Sequence, residues 1–442
     1  GLALARLPLT NKERNMRVAK LKSADTFKTS NNPALGIQNY GEGNDFPQKV
    51  MQLVAASGTG SSCLEIYIKF IIGRGFSDVA LYDLIVNRNR MTMDAVLREA
   101  GSDLGRFNGF AIHVNYNMNF KISSISHVPF EHCRFQKMDK ETRRFDKIAV
   151  HPDWTGQYAD VIPFRKKDIH FIDIFNPDPA EIQRQVDEAG GWDNYKGQIF
   201  YYSGDGYLVY PTPKYAAVLT DMRTEEGLAN VTGRNVCSNF LMAGMIVEHY
   251  TREQDDQQLT ALQQQILDFQ GDDKAGNLLC VQVDNIEEKP DFVPFSGQNY
   301  DKAFTATQSA VPDNIGRAFM QPPILRAKDV GANFGADLMK NAYNLYNSIT
   351  SDERLVLEEA FTEIFKYWWE ALGDISFSIQ SLSYNAGDTL LDRLGKENAD
   401  KIVATAVDGT IPTEQKKAVF KLVYGLSEEE INELLGNDNQ QQ

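Results

Sequence analysis

Between Pro213 and Leu325 the sequence spaces its apolar residues for two long helices separated by a small insert. Tyr215, Leu219, Met222, Leu228, Val231 and Phe240 recur at helical intervals, which predicts a helix from Pro213 to about Phe240. At ~1.5 Å per residue that helix would be about 40 Å long, too long for one compact lobe, so it must connect parts of the molecule. A return leg from Asp301 to Met320 carries Phe304, Val311, Ile315 and Phe319 on a second stripe and stops at Pro322-Pro323. Pro312 is expected to break that leg into two helices. The insert reads as a strand at Met242–Val247, a helix at Asp255–Phe269 and a strand at Leu278–Val283. That order suits a small α/β module with a parallel pair. The whole stretch is a stalk with a head.

The remaining chain is ample for several domains around such a stalk: 442 residues predict two to four. The net charge is −15, which does not suit a nucleic-acid binder that grips phosphates, although acidic walls would let DNA slide past. Cys63, Cys133, Cys237 and Cys280 form no CxxC pair, which points to reduced thiols and away from a zinc site. No apolar run reaches the ~20 residues of a membrane span, and no signal-peptide core is evident at the N-terminus. The sequence starts at Gly1 without Met, which is compatible with a trimmed residue.

Residues 1–35 are polar and basic, with Arg6, Lys12, Arg14, Arg17, Lys20 and Lys22, and read as a surface arm or as an arm gripping a neighbour or nucleic acid. Helices are expected at Pro47–Ala56 with Asp45 as N-cap, at Ser62–Ile72, and at Met93–Phe107. Ser57-Gly58-Thr59-Gly60-Ser61-Ser62 is expected to break the first two apart. Strands follow at Phe110–Asn115, Phe120–Val128, Arg134-Phe135, Phe145–His151 and Ile169–Phe175, and a hairpin at Gln198–Tyr210 turns on Gly204-Asp205-Gly206. They predict an antiparallel sheet or partial barrel. Beyond the double proline, Arg326–Asp337 reads as a loop long enough to be functional. Thr350-Ser351-Asp352-Glu353 reads as a capping box opening a helix with Leu357, Phe361, Ile364, Phe365 and Trp368 on one stripe. Trp368-Trp369 calls for cover on two faces, which hints at a neighbouring subunit. Helices at Leu390–Ala406, Glu414–Tyr424 and Ser427–Leu435 close the chain, Ser427 and Glu430 making a further capping box.

Little of this carries chemistry. The glycine clusters lack the Lys-Ser/Thr of a phosphate loop and punctuate helices instead. His113, His127, His132, His151, His170 and His249 show no metal-ligand spacing, and GxSxG and HExxH are absent. Asp173, inside the apolar run Phe171–Phe175, reads as an acid near a sheet edge or a loop. An enzyme of unknown type using His113, His127 or His132 stays open as an alternative, without a catalytic set, metal or cofactor to name.

Four segments in order resemble the portal proteins of tailed bacteriophages. They are Tyr40-Gly41-Glu42 with Phe46-Pro47-Gln48 and Ile71-Ile72-Gly73-Arg74-Gly75-Phe76; Asp103–Phe110 with Val114–Asn117; Tyr210–Tyr215 before a long helix; and Asn314–Pro323. The resemblance covers about residues 38–325 and departs at Met320-Gln321, where the family often has Gly-Val.

The resemblance implies an α+β portal fold: an arm (1–35), a β-rich wing (36–212), two stem helices (213–240 and 301–325) around a small α/β clip (241–300), a tunnel loop (326–338), a wing helix (339–385), and a helical crown with a polar tail (386–442). It implies a ring, usually a dodecamer, at one vertex of the capsid of a virion assembled in the host cytoplasm, through which double-stranded DNA is packaged and ejected. The partners implied are the major capsid protein, transiently the large terminase subunit, and a head–tail adaptor, with no membrane. By position, Arg326, Lys328, Asp329, Asn333 and Phe334 would line the tunnel, Arg317 and Lys302 would face DNA, and Asp255, Asp256, Gln264, Asp272 and Asp273 would dock motor or adaptor. Another oligomeric connector or tail protein is the nearest alternative.

Overall fold

The computed structural model describes residues 29–139, 141, 143–156, 164–205, 209–237, 244–247, 291–294, 300–326, 336–384, 396–408, 411–424, 426, 431 and 434–435. They combine α-helices and β-sheets in one α+β architecture.

A six-stranded sheet forms the β-rich section. Its strands are β3 (Gly109–Tyr116), β4 (Ile122–Val128), β5 (Cys133–Phe135), β6 (Lys147–Val150), β7 (His170–Ile174) and β8 (Gln198–Ser203), in the order β4-β3-β8-β7-β6-β5. The turn between β3 and β4 forms as expected on Asn117, whose carboxamide oxygen accepts from the N–H groups of Asn119 and Lys121. Two expectations are corrected. The sheet is mixed, because β7 and β8 are parallel. A parallel pair needs a crossover, and α5 (Pro179–Ala189) supplies it. The Gly204 hairpin is not found as a strand pair among the described residues: β8 pairs with β3 along its length and with β7 at Gln198 and Ile199, and residues 206–208 lie outside those described. Asp205 instead accepts from the N–H and Oγ1 of Thr212.

Both borders of the sheet are covered. Val86 and Tyr367 carbonyls accept from Ile125 and Ile122 of β4, and the Trp369 N–H donates to Ile122. At the other border, Ile37 bridges to Gln136 just beyond β5. Ile37 belongs to a small hairpin of β1 (Ser30–Asn32) and β2 (Ile37–Asn39), so the arm read as running to residue 35 contains a strand and the turn that follows it. Covered borders leave few free backbone groups for strand addition.

The helical layer consists of α1 (Phe46–Ala56), α2 (Gly58–Ile72), the short α3 (Val79–Tyr82) and α4 (Met93–Phe107). Residues 57–62 do not break α1 from α2 as a loop; Ser57 caps α2 directly, its Oγ accepting from the Gly60 N–H. Gly101 and Gly105 let α4 approach α2 closely, since a Cβ there would sit 2.8 Å from Ile72 and 2.6 Å from Ile68. Gly73 ends α2 with φ +60°, and a Cβ on it would lie 2.2 Å from the Gln380 carbonyl oxygen. That space is used: Arg74 N–H donates to Gln380, and Gln380 N–H donates to Gly75.

The stalk consists of a 3-10 turn at Ala216–Val218, α6 (Leu219–Cys237) and α7 (Tyr300–Ala318). α7 runs through Pro312 as one helix, so the expected break there is corrected. Val311, Ile315 and Phe319 are buried together, and that packing outweighs the single hydrogen bond Pro312 cannot donate. Between the helices, β9 (Gly244–Val247) pairs antiparallel with β10 (Asp291–Pro294), a strand the pattern did not announce. The expected insert helix and the strand at 278–283 lie outside the described residues.

α8 (Ala336–Ile349) begins inside the expected loop Arg326–Asp337, and the range expected as one wing helix (339–385) holds two helices, α9 (Ser351–Phe365) following after Thr350. The capping box does not form. Thr350 Oγ1 donates back to the Tyr346 carbonyl, and Glu353 is engaged elsewhere. The expected apolar stripe of α9 is buried from Leu357 to Trp368. Trp369 is exposed, so the cover expected for both indoles is found for one. α10 (Lys396–Val407) and α11 (Thr413–Leu422) close the described chain. The capping box expected at Ser427 and Glu430 falls outside the described residues.

Candidate functional site

The four segments singled out above are far apart in sequence and meet where the stalk leaves the body. Tyr40 is fully buried and stacks on Tyr210 with ring centroids 4.2 Å apart and planes 8° apart. Its hydroxyl donates to the Pro211 carbonyl at 2.6 Å. Tyr210 accepts from the Phe135 N–H at 2.8 Å and donates to the Gln38 carbonyl at 2.7 Å. Tyr215 stacks on Phe319 at 4.8 Å and donates to the Arg106 carbonyl at 2.9 Å.

Arg134 stands at the centre of this junction, fully buried. Its guanidinium donates to the Asn44 side chain at 2.5 Å and to the carbonyls of Asn44, Glu131 and Cys133 at 2.9, 2.9 and 2.8 Å. It also lies 5.4 Å from the ring centres of both Tyr40 and Trp154. Burial pushes its pKa down, and pushes the Tyr40 phenol well up against the opposing pull of the cation. Sequence reading placed Arg134 only as a strand residue. A lone arginine between Cys133 and Phe135 in an aromatic strand was the available signal.

The stalk root is tied to the body by charge as well. Lys214 reaches the buried Glu353 at 2.6 Å, and the same carboxylate oxygen accepts from the Tyr67 hydroxyl at 2.7 Å. On α6, Glu225 accepts from the Thr59 N–H at 3.3 Å, from Thr59 Oγ1 at 2.6 Å, and from Ser57 Oγ. A carboxylate at the N-terminus of α2 complements the helix dipole. Gln321 donates to the Cys63 carbonyl at 2.6 Å and to Tyr346 Oη at 3.2 Å. Cys63 is a free, buried thiol that burial pushes up to about 11.

Outward from the root the character changes. Met222 on α6 is fully buried, whereas residues 229–233 are exposed; on α7, Val311 is buried and residues 308–310 are exposed. Each helix has 19 residues, about 28 Å at ~1.5 Å per residue.

Arg317 lies exposed on α7. Arg326 folds back onto that helix: its guanidinium fills the space of the Cβ that Gly316 lacks, donates to the Pro312 carbonyl at 3.3 Å and lies 3.7 Å from Asp313. Lys302 belongs to the first turn of α7, its side chain outside the described residues. Lys328, Asp329, Asn333 and Phe334, and Asp255, Asp256, Gln264, Asp272 and Asp273, also lie outside them.

The histidines named above serve the body. His113 donates from Nε2 to the Lys196 carbonyl at 2.6 Å, and His127 joins Asp103 at 2.7 Å. The Asp103 carboxylate also accepts from the Phe130 N–H at 2.8 Å, clasping α4 to the end of β4. Burial pushes His113 and His132 down. Asp173 pairs with Lys147 across β6 and β7 at 3.1 Å, which places it inside the sheet and not at its edge. His249 lies outside the described residues. Among those residues no group of three or more His, Cys, Asp or Glu is placed to hold a metal ion, and no helix is long and apolar enough to cross a membrane.

No protein-family profile and no curated protein matches the chain. Among solved structures it is similar to a chain in the virion of a native gene transfer agent particle, with 12% identity, 86% of this chain and 93% of that chain covered, and a TM-score of 0.46. It is similar to a chain in the neck of the native particle computed with C12 symmetry, at 12% identity, 86% and 94% coverage and TM-score 0.46. A chain in the neck of the empty particle computed with C6 symmetry matches at 13% identity, with the same coverage and TM-score. At that level of likeness nothing of those particles' function transfers to this chain.

Proposed function

We propose that this chain is a subunit of a portal-type ring, a homo-oligomeric channel in a phage-like particle through which double-stranded DNA passes and on which a packaging motor and then a head–tail adaptor dock. One observation carries the reading. Two 19-residue helices leave a single aromatic root side by side, are buried at that root and exposed beyond it, and flank a small insert whose strands pair at its base. That arrangement suits a stem that joins neighbouring stems around an axis, since heterologous contacts close into rings. Segments resembling portals in order along the chain support it, as does the net charge of −15, which multiplied around a ring gives walls that DNA does not stick to. In this reading α6 and α7 are the stem, the insert is the clip, and residues 326–338 line the tunnel. Arg317 and Lys302 then touch phosphates in passing, and Asp255, Asp256, Gln264, Asp272 and Asp273 face the docking proteins.

Negative-stain microscopy of the purified protein tests this. Rings with a central hole and countable rotational symmetry are expected. A monomer at every concentration and salt condition overturns the reading.

A further inference from the structure

At the end of α7 the chain turns back on itself. Met320 stands in the left-handed region at φ +51°, and the Gln321 N–H returns to the Gly316 carbonyl at 3.1 Å. A left-handed residue with such a returning bond closes a helix and reverses the chain. The Gln321 side chain fastens the reversal to the Cys63 carbonyl of α2 and to Tyr346 of α8. Pro322 and Pro323 keep α7 from resuming, and a 3-10 turn at Pro323–Arg326 brings Arg326 back beside α7.

Arg326 arrives at a place shaped for it. Its side chain is 12% exposed and stands 3.7 Å from an Asp313 carboxylate oxygen, and its Nη1 donates to the Pro312 carbonyl at 3.3 Å. A Cβ on Gly316 would lie 2.1 Å from Nη1 and 2.2 Å from Cζ, so the guanidinium lies against the helix only because residue 316 is a glycine. The cation is also near enough to α2 to pull the Cys63 thiol down against the larger effect of burial. Arg326 stands at the start of the stretch read as the tunnel loop, yet its charge is met inside the chain. Arg317 differs. Its side chain is exposed and has no ion pair or hydrogen bond among the described residues. Neighbours on a helix point about 100° apart, so Arg317 does not share the face of Gly316 on which Arg326 lies.

We infer that Arg326 is a clasp that closes the base of the stem, its cation held on α7, and that Arg317 is the arginine this part of the stem offers to an anionic ligand. An arginine suits the clasp because its planar fork lies flat where a Cβ is missing while one nitrogen meets a carbonyl. The two residues carry the same charge; what separates them is whether that charge already has partners in the chain. The clasp is a contact within one chain and needs no ring. The nature of the anion, the phosphates of duplex DNA, rests on the ring reading.

Modification by phenylglyoxal, followed by peptide mapping, tests both parts on the purified protein in the assembly it forms. Arg326 is expected to react at least about tenfold more slowly than Arg317, the factor implied by one hydrogen bond to a charged group. Gly316→Ala favours the helix, so the circular dichroism is expected to hold while the new methyl evicts the guanidinium and Arg326 reacts as fast as Arg317. A short DNA duplex is expected to slow the modification of Arg317 in the wild type and to leave that of Arg326 unchanged. Equal reactivity of the two arginines in the wild type, or an Arg326 that stays slow in Gly316→Ala, overturns the clasp. DNA that protects Arg326 in place of Arg317 overturns the assignment of the anion contact. If rings form and DNA protects neither arginine, Arg317 loses that role and the clasp stands on its own rates. If no rings form at any concentration or salt, the ring reading fails, and the reactivity of Arg326 still decides the clasp.

Discussion

In the body, Tyr40, Tyr210, Phe135, Phe130 and Tyr201 pack in one aromatic cluster, and the guanidinium of Arg134, buried against Tyr40 and Trp154, has a hydrogen-bond partner for each of its nitrogens in the same chain. In the C-terminal hairpin, Ile402, Phe420, Leu426 and Ile431 are buried among the described residues with Ala406, Tyr424, Leu434 and Leu435 packed against them, while Val403, Val407, Leu422 and Val423 are exposed. The difference separates a part whose apolar side chains are covered from a part that leaves several of them exposed among the described residues. The stalk lies between the two, buried at its root and exposed outward.

Four measurements break or sharpen that comparison. The largest effect is expected in the body from Tyr210→Ala, which removes the stack on Tyr40 and two hydrogen bonds. It should cost about 3–5 kcal/mol in denaturant unfolding, and a loss below ~1 kcal/mol would show that the aromatic junction is not the keystone. Gly73→Ala comes next. It forces a side chain into a left-handed backbone and against the Gln380 carbonyl, at a cost of about 1–3 kcal/mol from the backbone alone; an unchanged midpoint would remove the argument for that contact. A smaller effect concerns acid. Burial holds His113 and His132 below the ordinary value of about 6.5, so the unfolded chain takes up their protons first as pH falls. Their contribution is complete above that value and is lost below it, and replacing both by Asn should flatten the stability–pH slope between about pH 6.5 and 5. The smallest effect is expected in the hairpin: Leu422→Ser should leave body unfolding within about 0.5 kcal/mol of wild type, and a larger drop would mean that the hairpin supports the body from within one chain.

Much of this fold is written in local pattern. The Met93–Phe107 helix, the turn on Asn117, the α9 stripe and the stop at the double proline all follow from periodicity and capping within a dozen residues. The failures share a cause. The Gly204 hairpin, the Thr350 capping box and the Pro312 break are each allowed by local chemistry. Each gave way to other partners: Thr212 on Asp205, Tyr67 and Lys214 on Glu353, and the packing of Ile315 and Phe319. Helix α5 carried readable signals in Asp178-Pro179 and Gly190, yet its role as a crossover depends on β7 and β8 being neighbours.

By itself the sequence determined that two long helices flank a small insert, because apolar spacing and proline stops act within the chain segment that carries them. Only the tertiary structure decided that Tyr40, Arg106, Arg134, Tyr210, Tyr215 and Phe319 meet at the base of that stalk. Nor could spacing reveal which apolar stripes would be covered. Burial is a property of what lies across from a side chain, and for residues more than a hundred positions apart that is set by the folded whole.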